Sequence, residues 1–212
     1  MNCLSQIFDV SAIILLYHHK VGTSTMKLLK LIVALTLSLT IICCSSGGDR
    51  MYNDRVEEFL SVLETIPSTS EHSDPASHFS TVFKDFHLDA KEAKIREVYA
   101  DTFYFNDTFK TFRTIDELIP YMEETAENVK TTTVEILDVS KSDSDYYLRW
   151  KMIMEFTAKG RDIRSVSVGM TQLRFNEQGK VILHQDYWDG AEGFYQHLPY
   201  IGYFVRKVRD SL

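Results

Sequence analysis

The sequence predicts an α+β fold in which helices come first and an antiparallel β-meander follows. Three observations carry this. Apolar residues recur at helical spacing across residues 55–98, and four long β-branched and aromatic runs lie between Thr131 and Trp188. All three cysteines (Cys3, Cys43 and Cys44) fall in the first 44 residues, so the globular part must be held by packing without a disulfide.

At 212 residues the chain has room for one domain with a real core plus an export leader. Its formal charge is −7; residues 1–44 hold Lys20, Lys27, Lys30 and Asp9, a net +2, and −7 less +2 leaves −9 on the remainder. Such a surface repels a polyanion, which argues against a nucleic-acid partner.

Met26-Lys27-Leu28-Leu29-Lys30 marks a second start, which makes residues 1–25 an over-extended start. Two lysines followed by the apolar run Leu31 to Ile42 give residues 26–44 the pattern of an export signal, short for a membrane span. The run ends in Cys43-Cys44-Ser45-Ser46-Gly47-Gly48, which resembles a bacterial lipoprotein signal with a flexible tether over residues 45–51. Cys44 is the expected lipidated residue, with Cys43 as the alternative. The expected location is the cell envelope, held to the membrane by the N-terminal lipid, with plain secretion or a periplasmic location as the alternative.

Residues 52–72 read as a helix and linker. Val56, Phe59, Leu60 and Leu63 share a helical face that stops near Ile66-Pro67, and a polar gap from Ser68 to Ser73 follows. Asp74-Pro75 reads as an N-cap and first helical residue, with Phe79, Val82, Phe83 and Phe86 on one face. A third helix is expected from Ala90 to Val98, then an aromatic strand from Tyr99 to Asn106. A further helix is expected from Thr114 to about Asn128, where Thr114 and Glu117 fit a capping box. The four later strands are expected at 131–140, 146–157, 163–175 and 181–188. Turns at Lys141 to Asp145, Lys159-Gly160 and Asn176 to Gly179 separate them.

In residues 146–157 one parity carries Leu148, Trp150, Met152, Met154 and Phe156, and the other carries Tyr147, Arg149, Lys151, Ile153 and Glu155. One face of the sheet is therefore apolar and the other mixed with charge. Alternation alone favours the apolar parity on the helices and the charged parity in water, while a curved sheet permits the reverse.

The order of elements, with Tyr99-Ala100-Asp101, Asn106-Asp107 and the closing His184-Gln185-Asp186-Tyr187-Trp188-Asp189, resembles the nuclear transport factor 2-like superfamily, in particular SnoaL-like proteins. The resemblance covers about residues 73–212. It implies a cone-shaped curved antiparallel or mixed sheet wrapped around the N-terminal helices. A hydrophobic central pocket takes a small apolar ligand or substrate, and the convex face is available to a homodimer. It also implies that the charged parity of residues 146–157 lines the pocket.

Within that superfamily, limonene-1,2-epoxide hydrolases match the site residues best. The resemblance places their general base on Asp186, their water-holding Tyr-x-Asn pair on Tyr104 and Asn106, and their bridging arginine on Arg149. Their second aspartate, which protonates the epoxide, falls on Lys151, so the reaction stays open. Phe103, Asp107, Ile153, Ser167, His184, Trp188 and Phe194 are the expected pocket residues, and the segment from Phe194 to Val208 is the expected lid. No metal-ligand spacing, nucleophile elbow, phosphate loop or dinucleotide fingerprint occurs, so the expectation is no metal and no cofactor. A non-catalytic ligand-binding module and a cofactor-free isomerase, cyclase or hydrolase with Asp186 as general base both remain.

Overall fold

The computed structural model describes residues 54–67 and 71–212. The leader, Cys43, Cys44, the tether and Ser68 to Ser70 lie outside the described residues. Residues 54–65 form helix α1. The body from Val62 to Leu212 is one compact unit, which does not include the first eight described residues.

The body starts with helices α2 (Pro75–Phe83), α3 (Phe86–Asp89) and α4 (Glu92–Val98). Asp74 caps α2 as its sequence predicts, accepting Ser77 N at 2.9 Å with Pro75 behind it, a contact worth ~1 kcal/mol. The expected helix from Ala90 begins instead at Glu92. Ala90 closes the separate turn of α3 by donating its N–H to Phe86 O. Strand β1 (Tyr99–Asn106) follows, then β2 (Thr111–Thr114), which no sequence pattern announced, and helix α5 (Ile115–Asn128). The Thr114 hydroxyl bonds the Glu117 carboxylate at 3.0 Å without capping the backbone, so the capping box is incomplete.

Strands β3 (Thr131–Ser142), β4 (Asp145–Ala158), β5 (Arg161–Phe175) and β6 (Val181–Trp188) form the meander. The hairpin between β4 and β5 turns on Lys159 and Gly160, both at positive φ (49° and 74°), the conformation a two-residue hairpin requires. The full order is β2-β1-β6-β5-β4-β3, with β1 parallel to β6 and every other pair antiparallel. It is a curved, unclosed sheet whose inner face receives the helices.

The core joins Phe79, Val82 and Phe86 of α2 and α3 and Leu118 and Met122 of α5 to Leu148, Trp150, Leu173 and Phe175 of the sheet. Each such side chain contributes ~1.5–3 kcal/mol through burial. This corrects the face assignment drawn from the resemblance. The apolar parity of β4 faces inward, and Arg149 and Lys151 point outward. The reason is physical: the phenylalanines of α2 and α3 can be covered only by an apolar sheet face, whereas the charges find partners across the outer face.

The chain ends in α6 (Gly190–Gly193), a 3-10 turn (Tyr195–His197) and α7 (Ile201–Ser211). Helix α7 packs on the 3-10 turn, and Arg209 reaches Asp189 at 2.9 Å. None of its residues borders the central cavity, so the expected lid is not formed. Among the described residues no helix is long and apolar enough to cross a membrane.

Candidate functional site

Between the helices and the inner sheet face lies a cavity of about 140 Å³, close to the ~150 Å³ that holds one benzene. Phe79, Phe83 and Phe86 form its helical wall; Trp150, Met152, Met154 and Trp188 form its sheet wall. Gly169 makes the sheet wall possible. A Cβ there would lie 2.3 Å from the Trp150 ring and 2.8 Å from Trp188 Cβ, so only glycine lets both indoles close over β5.

Two carboxylates face this apolar space, Asp186 of β6 and Asp107 just after β1. Asp186 is held from two sides through one oxygen. Its Oδ1 accepts the Thr171 hydroxyl at 2.5 Å and His184 Nε2 at 3.0 Å, and among the described residues no donor reaches Oδ2. Behind these, Trp150 Nε1 donates to Thr171 Oγ1 at 2.8 Å, and the Tyr99 hydroxyl meets His184 Nδ1 at 2.8 Å. With a carboxylate accepting at Nε2, the imidazole carries its proton there and takes the Tyr99 O–H at Nδ1. Burial, with the charges of Asp186 and Asp107 adding to it, pushes the Tyr99 phenol well above its ordinary range and keeps that proton in place.

Asp107 is held differently. Its Oδ1 accepts Phe109 N at 2.9 Å and Lys110 N at 2.8 Å, while Oδ2 accepts a short bond from the Tyr121 hydroxyl. Burial raises its affinity for a proton. The Tyr121 and backbone donors oppose that rise, and the charge of Asp186 adds to it. Asp107 is thus a turn aspartate and a cavity wall at once.

The expected site residues divide sharply. Asp186, Asp107 and Trp188 border the cavity, and His184 lies fully buried directly behind Asp186. Ser167 is on the inner face, where its neighbour is the backbone of Gly193, and it does not border the cavity. Phe103 is core beside Tyr99, and Phe194 sits behind Phe109 at 5.2 Å.

Tyr104 and Asn106 bond each other at 3.2 Å on the outer face. There the Tyr104 hydroxyl also reaches Gln185, the neighbour whose side chain points away from Asp186. Arg149 is 59% exposed and 4.0 Å from Asp138, and Lys151 is 3.3 Å from Glu135. Lys151 and Ile153 border a surface depression of about 500 Å³, where Lys151 pairs with Glu135 and Asp89 pairs with Lys94. This depression is larger than the inner cavity, yet no desolvated group converges in it. Arg149, Lys151, Ile153, Tyr104 and Asn106 therefore do not join Asp186. The structure puts Thr171, Trp150, Tyr99 and Tyr121 around the carboxylates instead. Among the described residues no cluster of three or more metal-ligating side chains occurs.

Residues 80–184 match the family model described as "SnoaL-like domain". The chain carries a SnoaL-like domain. No curated protein matches it. Among solved structures, the SnoaL-like domain is similar to an LEH-like epoxide hydrolase of M. tuberculosis, at 12% identity and a TM-score of 0.47, over 60% of this chain and 90% of that one. It is also similar to a protein described as a SnoaL-like polyketide cyclase from Shewanella denitrificans OS-217, at 12% identity and a TM-score of 0.49, over 57% of this chain and 94% of that one. At such identity the likeness is one of fold.

Proposed function

We propose that the SnoaL-like domain binds a small, largely apolar molecule in its inner cavity, with the polar part of that molecule at Asp186. The observation that supports this is an apolar chamber ending at a carboxylate whose second oxygen has no protein donor among the described residues. A site of this kind takes its ligand's bulk by burial and its orientation from one or two polar groups.

A second reading, cofactor-free proton transfer with Asp186 as general base, is favoured by the way Thr171 and His184 hold one oxygen and leave the other facing the cavity. A base must be fixed within reach of the proton it takes. Asp107, whose burial favours its protonated form, is the matching acid.

The test is a thermal-shift screen of single-ring and similarly sized molecules on the wild type and on Asp186→Asn, followed by turnover assays on every hit. Binding by the wild type that Asp186→Asn weakens supports the first reading. Conversion lost in Asp186→Asn supports the second. A screen in which no molecule of this size shifts the melting temperature sinks both.

The leader pattern supports an exported protein anchored through Cys44. Labelling of the wild type with a radioactive fatty acid, absent from Cys44→Ala, is the expected result; equal labelling moves the anchor to Cys43 and no labelling removes it. Exposed Val166 and Val168 on the outer face support a homodimer there. Sedimentation of Val168→Lys as a monomer beside a dimeric wild type is the matching expectation.

A further inference from the structure

We infer that the cavity selects a small organic cation, a substituted ammonium ion about the size of choline, over neutral and anionic molecules of the same shape. This rests on reading the cavity as a binding site.

The charge inventory of the wall is one-sided. Asp186 and Asp107 border the cavity, and among the described residues no arginine, lysine or histidine does. His184 touches Asp186 only from behind, at the oxygen Thr171 also holds. Arg149 and Lys151, which the resemblance placed here, are on the outer face and paired to Asp138 and Glu135. A carboxylate taken out of water without a counter-charge is costly, and the cost is relieved when a partner of opposite sign arrives. Among the described residues no cationic side chain borders the cavity to supply that partner, so a ligand can bring it, and an anionic ligand would add a like charge beside Asp186.

The remaining wall has the same preference. Phe79, Phe83 and Phe86 on the helical side and Trp150 and Trp188 on the sheet side surround the space. Aromatic faces carry negative quadrupole charge, so they attract cations and disfavour anions, and tryptophan does so most strongly. A methylated ammonium ion has an apolar surface that suits these rings and a diffuse charge that suits Asp186. A bare ammonium or metal ion would lose its water without recovering it from phenylalanine.

A separate observation indicates that the cavity is built to be filled. Thr132 borders it, is only 6% exposed, and its hydroxyl has no hydrogen-bond partner among the described residues. Buried hydroxyls are almost always satisfied, so Thr132 awaits a polar group from whatever occupies the space. A cation carrying a hydroxyl or carbonyl offers one.

The experiment uses three probes of nearly one shape on the full chain: choline, its neutral isostere 3,3-dimethylbutan-1-ol, and the anion 3,3-dimethylbutanoate. Titration calorimetry is expected to show choline binding at least about tenfold more tightly than the alcohol, and the anion not at all. In Asp186→Asn, and independently in Asp107→Asn, the ratio of choline affinity to alcohol affinity is expected to shrink, and that ratio, not either affinity alone, is the readout. The two variants guard against one of them failing to fold. If the alcohol binds as tightly as choline, the cation preference is wrong and the cavity remains a binding site for neutral molecules. If none of the three binds, the cation preference and the cavity reading fall together.

Discussion

Thr171 Oγ1 donates to Asp186 Oδ1 at 2.5 Å while it receives the Trp150 indole N–H at 2.8 Å. The two residues are directly opposed on adjacent strands, Thr171 on β5 and Asp186 on β6. The carboxylate is therefore oriented by the sheet itself and not by a loop. Thr171→Val keeps the volume, removes a donor and leaves the Trp150 N–H unpaired in a buried site. The expected loss of stability is ~1–3 kcal/mol, read by urea denaturation. A loss within error of zero would mean that the Thr171 bond does not hold Asp186.

Tyr99 acts on Asp186 through His184. In Tyr99→Phe the imidazole Nδ1 loses its donor at 2.8 Å and becomes a buried acceptor without a partner. We expect a further ~1–2 kcal/mol of destabilisation. The change should also be visible in the nitrogen chemical shifts of His184, since the Asp186 contact at Nε2 is then left to hold the tautomer without Tyr99. Unchanged shifts would assign the tautomer to Asp186 alone.

The burial of Asp107 has a pH signature. Its folded-state affinity for a proton is raised above the ordinary carboxylate value of 3.8. Between that value and the raised one, the folded chain binds more protons than the unfolded chain. Stability must then be highest below the unfolded value and fall as pH rises through the folded one. Unfolding free energies measured from pH 4 upward should therefore decline more steeply in the wild type than in Asp107→Asn. Parallel curves would show that Asp107 is not desolvated. Only slopes are compared, because the amide also alters the contact with Tyr121.

Much of the fold could be read in the alternation of the strands and in the Asp74-Pro75 start of α2, but the site could not. The two parities of residues 146–157 mark two faces without saying which is inside; that depends on what covers them. One further signal was present. Glu135 and Asp138 stand on the strand before Lys151 and Arg149, and the hairpin pairs them directly. Opposite charges facing each other across a hairpin mark a solvated face. Asp107 was equally ambiguous, because an aspartate that closes a turn can still turn its second oxygen inward. Thr171 had only its parity with Ser165, Ser167 and Gly169 to suggest an inner position. No local pattern could tie it to Asp186 without the register of β5 on β6.

On the outer face Arg174 and Asp145 form a buried ion pair at 2.7 Å. Arg174 is not a surface cation that happens to find an anion. Nε and Nη2 grip both oxygens of Asp145, and Nη1 donates to the carbonyls of Leu63 and Ile66 at the end of α1. Those carbonyls are the unpaired acceptors every helix C-terminus leaves, and a guanidinium there also complements the helix dipole. Arg174→Met fills similar space but strands a buried carboxylate and two carbonyls, with only Gln172 Nε2, at 2.7 Å, still bonded to Asp145. The expected cost is ~3–5 kcal/mol. Adding Asp145→Leu to Arg174→Met should recover part of that loss, because the uncompensated charge is then gone. If the single variant costs less than ~1 kcal/mol, or the double variant is worse than the single by the full cost of a second core defect, the pair is not a coupled buried unit.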